Sequence, residues 1–457
     1  MKTHTDTIVA IATPPGQGAI GIVRLSGPQA CEIARALFSS SRPGFTGFKP
    51  YRLHHGQLRD GSGGFLDEAL VACMPGPGSF TGEDVAELQC HGGGAILRQV
   101  VEECLRLGAR LAAPGEFSKR AFLNGRMDLT QAEAIMELVG APGAVAVGLA
   151  GSKLEGLLAR RVGELRAGLE TLRVQLCVAV DFPEDEVECL APDALVAVTS
   201  EVRTAISDLA ANYDRGRCWR EGALVVLAGQ VNAGKSSLMN AILGVNRAIV
   251  TDIPGTTRDY LEEAVQIDGL PVRLVDTADL RAALDSVELM GIERSRELLA
   301  RADLVLLVID SELGPGAEDL DLAAGTDNLL VVANKTDLLT GEPAWLDENP
   351  WREKEVCRVS AKHGQGVSAL MIAIRRMVTD SGAPEDGALV PNLRQHTALT
   401  RAAEELALML EELAAGLPYD ILSVRLDTAC AILAEITGEI TSDEVLGAVF
   451  DGFCIGK

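Results

Sequence analysis

A chain of 457 residues with a formal charge of −24 is long enough for about three domains. It is too acidic to grip a nucleic acid unaided, because neutralising phosphates takes a basic surface. No secretory h-region and no run of 18 apolar residues occurs, which predicts a cytoplasmic chain with no membrane span. The 10 cysteines are scattered without a C-x-x-C pair, a spacing that speaks against a structural zinc site or a disulfide framework.

Residues 1–125 alternate short strand-like runs with Gly/Pro turns and read as an α+β domain. Within them, Gly16-Gln-Gly18-Ala-Ile-Gly21 matches the dinucleotide fingerprint G-x-G-x-x-G. The context is wrong: two prolines precede it, and Ile22-Val-Arg-Leu25 reads as a strand where a helix is required. A turn between strands is expected instead. Residues 126–217 turn helical, and Leu165, Leu169, Leu172 and Leu176 form one amphipathic stripe.

Residues 218–379 hold the most specific pattern. Gly229-Gln-Val-Asn-Ala-Gly-Lys235-Ser236 is G-x-x-x-x-G-K-S, a loop whose N–H groups cradle phosphates. Its Lys reaches the β- and γ-phosphates and its Ser hydroxyl ligates Mg²⁺. It lies between the strand-length run Ala223–Ala228 and a helix opening at Ser237, so the phosphates meet a helix N-terminus. Asn232, Ala233, Gly234, Lys235, Ser236 and Ser237 are the expected contacts. Leu270–Asp276 reads as a strand that ends in a carboxylate for the Mg²⁺ shell and continues into Thr277, Ala278 and Asp279. Further strands are expected over Asp303–Ile309, Leu329–Ala333 and Val356–Val359.

The strand Leu329–Ala333 runs directly into Asn334-Lys335-Thr-Asp337. A carboxylate accepts both the N1–H and the amino proton of guanine, so Asp337 reads the base while Asn334 and Lys335 brace it. Ser360, Ala361 and Lys362 resemble the last base-binding loop of the Ras-like GTPases. Thr251-Asp-Ile-Pro-Gly-Thr256-Thr257 supplies a switch that closes on Mg²⁺ through Thr257. Leu280 stands where Ras-type hydrolysis uses Gln to orient water. Asn232, with carbonyls from Thr251, Ile253 and Thr256, suggests a monovalent cation placed like an arginine finger. Past the turn-rich stretch 379–387, residues 380–457 return to helix from about 393 to 437.

Beyond the nucleotide motifs, Asp6-Thr-Ile-Val-Ala, Ala12-Thr-Pro-Pro-Gly16, Ser79-Phe-Thr-Gly-Glu-Asp84, Pro114–Asn124, Asp181–Glu186 and the terminal Cys454-Ile-Gly-Lys457 follow one another in an order that resembles the MnmE (TrmE) family of bacterial tRNA-modification GTPases. The resemblance implies a multidomain α/β and α chain: a Ras-like P-loop domain (218–379) inserted into a discontinuous helical domain (126–217 and 380–457), behind an N-terminal folate-binding, dimerising domain (1–125). It implies K⁺-dependent GTP hydrolysis in a homodimer. It also implies that, with the flavin protein MnmG, a carboxymethylaminomethyl group is added to the wobble uridine of certain tRNAs from 5-formyl- or methylene-tetrahydrofolate. By the same resemblance Arg24, Glu87, Arg126 and Lys457 surround the folate, and Glu288 acts through water on GTP. Arg126 departs from the Lys frequent in the family, so its contact geometry differs. Cys454 reads either as a small apolar residue of a docked tail or as a thiol serving one-carbon transfer.

The family carries Asp-Thr-Ala-Gly where this chain has Asp276-Thr-Ala-Asp279. A second carboxylate about 4 Å from a triphosphate oxygen opposes it by roughly 4 kcal/mol at an effective dielectric of 20. Weakened γ-phosphate sensing with GDP binding largely kept is therefore expected, and a catalytically impaired GTP/GDP-binding regulatory module is one alternative. An Era/Der-like ribosome-assembly GTPase is the other; it shares the nucleotide motifs but leaves the N-terminal blocks and the Cys-Ile-Gly-Lys end unexplained.

Overall fold

The computed structural model describes residues 5–181, 192–245, 262–277, 296–379, 382–385, 387–453 and 455–456. It divides into two compact units. Met1–Met136, Ala159–Arg166 and Ala431–Lys457 form one; Glu137–Leu158 and Ala167–Cys430 form the other. Among the described residues, no helix is long and apolar enough to cross a membrane.

The first unit is built on a seven-stranded sheet. Its strands are β1 (Ile8–Ile11), β2 (Gly18–Ser26), β3 (Phe38–Ser40), β4 (His54–Arg59), β5 (Phe65–Met74), β6 (Val85–Gly92) and β7 (Arg110–Leu111), in the order β3-β4-β5-β6-β2-β1-β7. All neighbours are antiparallel except β1 and β7. Helices α1 (Ala30–Leu37) and α2 (Gly94–Arg106) lay Ile33, Leu37, Leu97 and Val100 on Val23, Leu25, Val71 and Leu88 of one face. That pairing follows from the period-2 alternation of the strands meeting the apolar stripes of the helices. The false dinucleotide fingerprint finds its explanation here. Its first half is a bend, and Gly18 already opens β2. A Cβ on Gly21 would lie 2.5 Å from Leu97, so this glycine lets α2 pack close to the sheet.

One buried arginine gathers three of the sequence blocks. Arg120, on α3 (Glu116–Leu123), is fully buried. It donates to Asp6 Oδ1 (3.0 Å), Glu83 Oε2 (3.1 Å) and Glu116 Oε1 (3.0 Å). Arg110 clasps Glu116 and Asp6 at 2.6 Å each, and Ser26 donates to Glu83 at 2.8 Å. Burial alone would raise the Glu116 carboxyl, but bonds from Arg110, the Ala113 amide and Arg120 outweigh it and bring it to about 2. A folded value below the unfolded one gives stability that is complete above the ordinary carboxylate range and lost as pH falls toward the folded value. The melting temperature is therefore expected to fall between about pH 4.5 and pH 2, and Glu116→Gln to flatten that part of the profile in an acid thermal-melt series. An unchanged slope in the variant would remove Glu116 as the cause.

The chain's end belongs to the same unit. Leu446, Phe450 and Phe453 close a cluster with Leu129 and Ala132 of α4 (Leu129–Val139).

The second unit holds a six-stranded sheet. Its strands are β8 (Ala223–Ala228), β9 (Glu262–Ile267), β10 (Leu270–Asp276), β11 (Leu304–Asp310), β12 (Leu329–Asn334) and β13 (Val356–Arg358), in the order β13-β12-β11-β8-β10-β9. Every pair is parallel except β9 with β10. Such strands are covered on both faces and so read as unbroken apolar runs; Leu304–Asp310 is buried throughout. Leu238 and Ile242, with Leu370 and Ile374 of helix Val367–Val378, cover one face. Ala323, Trp345 and Trp351 cover the other.

The helical part of this unit contains α5 (Ala144–Leu154), most of α6 (Leu157–Asp181), α7 (Pro192–Glu221), the helix Leu393–Ala414 and, up to Cys430, the helix Tyr419–Thr437. The Leu165, Leu169, Leu172 and Leu176 stripe is buried as its spacing predicts. The helical stretch expected over about 393 to 437 consists of two helices. Gly416 takes a left-handed φ of 75° and Pro418 follows, so the first helix ends where its last carbonyls bond Gly416 and Leu417. Helix α7 ends inside the sheet's core, with Trp219 1% exposed among Val225, Val272 and Leu274. Asp303, expected as a strand residue, instead precedes β11; it accepts from the Leu224 amide at 2.8 Å and pairs with Arg217.

Candidate functional site

The loop after β8 leads directly into α8 (Lys235–Val245), and its backbone departs from ordinary geometry where the motif requires it. Gly229 and Gly234 have φ of +126° and +95°, and a Cβ there would lie 2.2 Å from Val308 O and 2.3 Å from Asn334 Nδ2. Asn232 is exposed and left-handed at φ 67°, a conformation that Asn tolerates better than most residues. Lys235, 5% exposed, donates to Gly229 O at 2.8 Å and to Gln230 O at 2.9 Å. Gln230 in turn donates to Asp319 Oδ2 at 3.0 Å, and that oxygen also accepts from the Gly316 amide at 2.8 Å.

The acid expected at the end of β10 meets this loop. Ser236 Oγ donates to Asp276 Oδ2 at 2.9 Å, and Asp276 is 1% exposed. A hydroxyl and a carboxylate at a helix N-terminus are hard oxygen donors of the kind Mg²⁺ takes alongside phosphate oxygens. These are the residues that would hold it. The Thr277 hydroxyl donates to Leu227 O at 2.9 Å, a bond that pins β10 to β8.

At the end of β12 the residues expected to read the base join the loop that follows β8. Asn334 donates from Nδ2 to Ala233 O (2.9 Å) and accepts the Ala361 amide at Oδ1 (3.1 Å). Asp337 accepts from Ser360 Oγ at 2.6 Å, and His363 Nε2 lies 3.6 Å from its other oxygen. The Ser360 bond holds the Asp337 carboxyl below the usual carboxylate range. Lys335, left-handed at φ 62°, places Nζ 2.6 Å from Asp310 Oδ2. Ser237 and Lys362 are exposed beside these groups in sequence. Among the described residues, Lys235, Ser236, Asp276, Asn334, Lys335, Asp337 and Ser360 thus lie together at the carboxyl ends of β8, β10, β11 and β12, where open α/β sheets bind ligands.

A second cluster lies in the first unit. Arg24 and Glu87 are direct partners across β2 and β6 and form an ion pair at 2.9 Å. Arg24 also donates to Gly456 O at 3.3 Å, so the tail reaches this pair. The rings of Phe80 and Phe117 stand 5.9 and 5.8 Å from the guanidinium. Arg126 donates to Ser79 O at 3.1 Å, beside Phe80 in sequence.

Thr251, Ile253, Thr256, Thr257, Ala278, Asp279, Leu280, Glu288, Cys454 and Lys457 lie outside the described residues, as do 182–186 of the fifth sequence block. Sequence reasoning passed over Asp310, Asp319, Phe80 and Phe117. A carboxylate that closes an all-apolar parallel strand is a readable signal for Asp310; nothing local marks the other three.

The model of the MnmE helical domain matches residues 129–454, and that of the GTP-binding protein TrmE N-terminus matches residues 7–126. The tRNA modification GTPase MnmE of Nitratidesulfovibrio vulgaris is 55% identical over 462 residues, spanning 99% of this chain and 100% of that protein. Those of Lawsonia intracellularis and Roseiflexus castenholzii are 44% and 43% identical, each again across 99% of this chain and 100% of its own length. With helical and N-terminal models both matched and the similarity running end to end, the chain belongs to the MnmE family of tRNA modification GTPases.

Proposed function

We propose that this chain hydrolyses GTP in a K⁺- and Mg²⁺-dependent reaction, and that hydrolysis drives addition of a carboxymethylaminomethyl group to the wobble uridine of certain tRNAs. In this reading it acts in the cytoplasm as a homodimer together with the flavin protein MnmG. A 5-formyl- or methylene-tetrahydrofolate donates the carbon. The observation that carries the nucleotide half is the convergence of Lys235, the Ser236–Asp276 pair and the Asn334–Asp337–Ser360 group on one sheet edge. Asn232 and the 251–256 loop would hold K⁺, and Glu288 would act through water. Functionally, residues 1–125 form the folate and dimer domain, 126–217 with 380–457 the helical domain, and 218–379 the nucleotide domain.

The folate half rests on the Arg24–Glu87 pair set beside two aromatic rings. A planar pterin offers a ring face and a donor-and-acceptor edge that such a pair matches. Arg126 and Lys457 would add positive charge for its anionic end. The folate supplies the one-carbon unit when bound; Arg24 and Glu87 orient it, and Cys454 either packs the tail or assists transfer. A net charge of −24 leaves much of the tRNA-binding surface to the partner, since phosphate contacts need cations.

The test is a reconstitution with MnmG, tRNA, GTP and a tetrahydrofolate labelled in its one-carbon unit. Label is expected in the tRNA in KCl and not in NaCl. Arg24→Gln is expected to weaken folate binding at least about tenfold, the loss of one charge-assisted contact, and to leave GTP turnover intact. Label entering tRNA equally well with Arg24→Gln would move the folate elsewhere.

A further inference from the structure

We propose that Asp310 is the residue that positions Lys335 for the purine base, setting nucleotide affinity without taking part in choosing the base. The inference rests on the guanine-nucleotide reading of the site above. Asp310 closes β11 and is 7% exposed. Its Oδ1 accepts from the Glu312 amide at 2.9 Å and the Leu313 amide at 3.4 Å, which leaves Oδ2 to the Lys335 ammonium at 2.6 Å. Burial opposes the charged carboxylate, but Lys335 and the two amides outweigh it, so the carboxyl lies below its ordinary range. The turn is tied to the base-reading motif a second time, by Ser311 N donating to Asn334 O at 2.9 Å.

The consequence falls on the lysine stem. A lysine is a compact charge on a flexible four-carbon stem and wanders unless its head is held. Here the head is fixed on a rigid strand end, and Lys335 Cε passes 3.9 Å from where a Cβ on Gly234 would stand. The stem therefore runs from the base-reading turn alongside the phosphate loop, an apolar bar between the two halves of the site. Such a bar offers van der Waals contact to a purine's ring face. It cannot tell guanine from hypoxanthine, which differ at the 2-amino edge that Asp337 would read.

Fluorescent GDP and IDP titrated into the full chain test this, with Asp310→Asn, Lys335→Met and the double variant. Asn keeps an acceptor for the Glu312 amide but loses the charge that holds Nζ. Asp310→Asn is expected to weaken GDP and IDP alike by about tenfold, the scale of one charge-assisted bond. In the Lys335→Met background the same substitution is expected to cost under about twofold, since its effect runs through the lysine. The double variant buries no unpaired charge and serves as the folded control. An equal loss in both backgrounds would make Asp310 only a structural part of the turn, and a changed GDP-to-IDP ratio would make it a base reader. Either overturns the proposal, as does an Asp310→Asn chain that binds like the parent. Failure of the unaltered chain to bind GDP at all would instead remove the nucleotide reading beneath it.

Discussion

Asp337→Asn is expected to weaken GDP binding by two to four orders of magnitude and to give the chain a preference for xanthine over guanine nucleotides. The carboxylate would accept two protons from guanine, and charged hydrogen bonds contribute about 1.5–3 kcal/mol each. Losing both therefore reaches about 3–6 kcal/mol. An amide offers one donor and one acceptor, and a donor faces the 2-oxo group of xanthine where a carboxylate would be repelled. The site is prepared for this exchange: Ser360 Oγ holds Asp337 at 2.6 Å, and an amide oxygen can accept that bond as a carboxylate does. Equilibrium titrations with GDP and XDP give the answer. Equal GDP affinities for variant and parent would mean that the base is read elsewhere.

The second large effect concerns the residue that departs from the family's third nucleotide motif. Asp279→Gly is expected to raise GTP turnover by at least about tenfold and GTP affinity over GDP in the same direction. The like-charge opposition of roughly 4 kcal/mol at close range is an upper bound, because Mg²⁺ and solvent rearrange around it. Even a third of it is tenfold in rate. GDP lacks the γ-phosphate, so its affinity should change little, and the ratio of GTP to GDP affinities isolates the effect from general damage. Turnover is measured in KCl and in NaCl. Fast, K⁺-dependent turnover by the unaltered chain, matching the Gly variant, would make Asp279 a carboxylate turned away from the nucleotide.

Much of the nucleotide unit was legible because its chemistry is local. Gly229, Gly234 and Lys235 act on their own loop, and the strands that carry Asp276 and Asn334 announce themselves as buried parallel strands. The first unit was legible only as blocks. Arg120 joins residues 37 and 114 positions apart, and Arg24 meets a carbonyl 432 positions away; no periodicity encodes such meetings. The resemblance placed Arg24 and Glu87 in one site, and their cross-strand register explains why they touch. The break at Gly416-Leu-Pro418 was written in the sequence as a glycine followed by a proline, and helical periodicity on both sides hid it. Asp310 was half legible: its place at the end of an apolar strand marks it, while its role depends on a lysine brought alongside by the adjacent strand.

The anchoring of α7 has a mechanical meaning. Arg217 and Trp219 seize the base of a 30-residue helix, and the strand that follows it, Ala223–Ala228, ends in the phosphate loop. A rod of that length is about 45 Å, so a tilt of about 5° at its base sweeps its far end through about 4 Å. The phosphate loop and the base of that rod sit at opposite ends of one six-residue strand. Movement too small to disturb the sheet's packing would arrive at the other end of the helix as a displacement the size of a side chain.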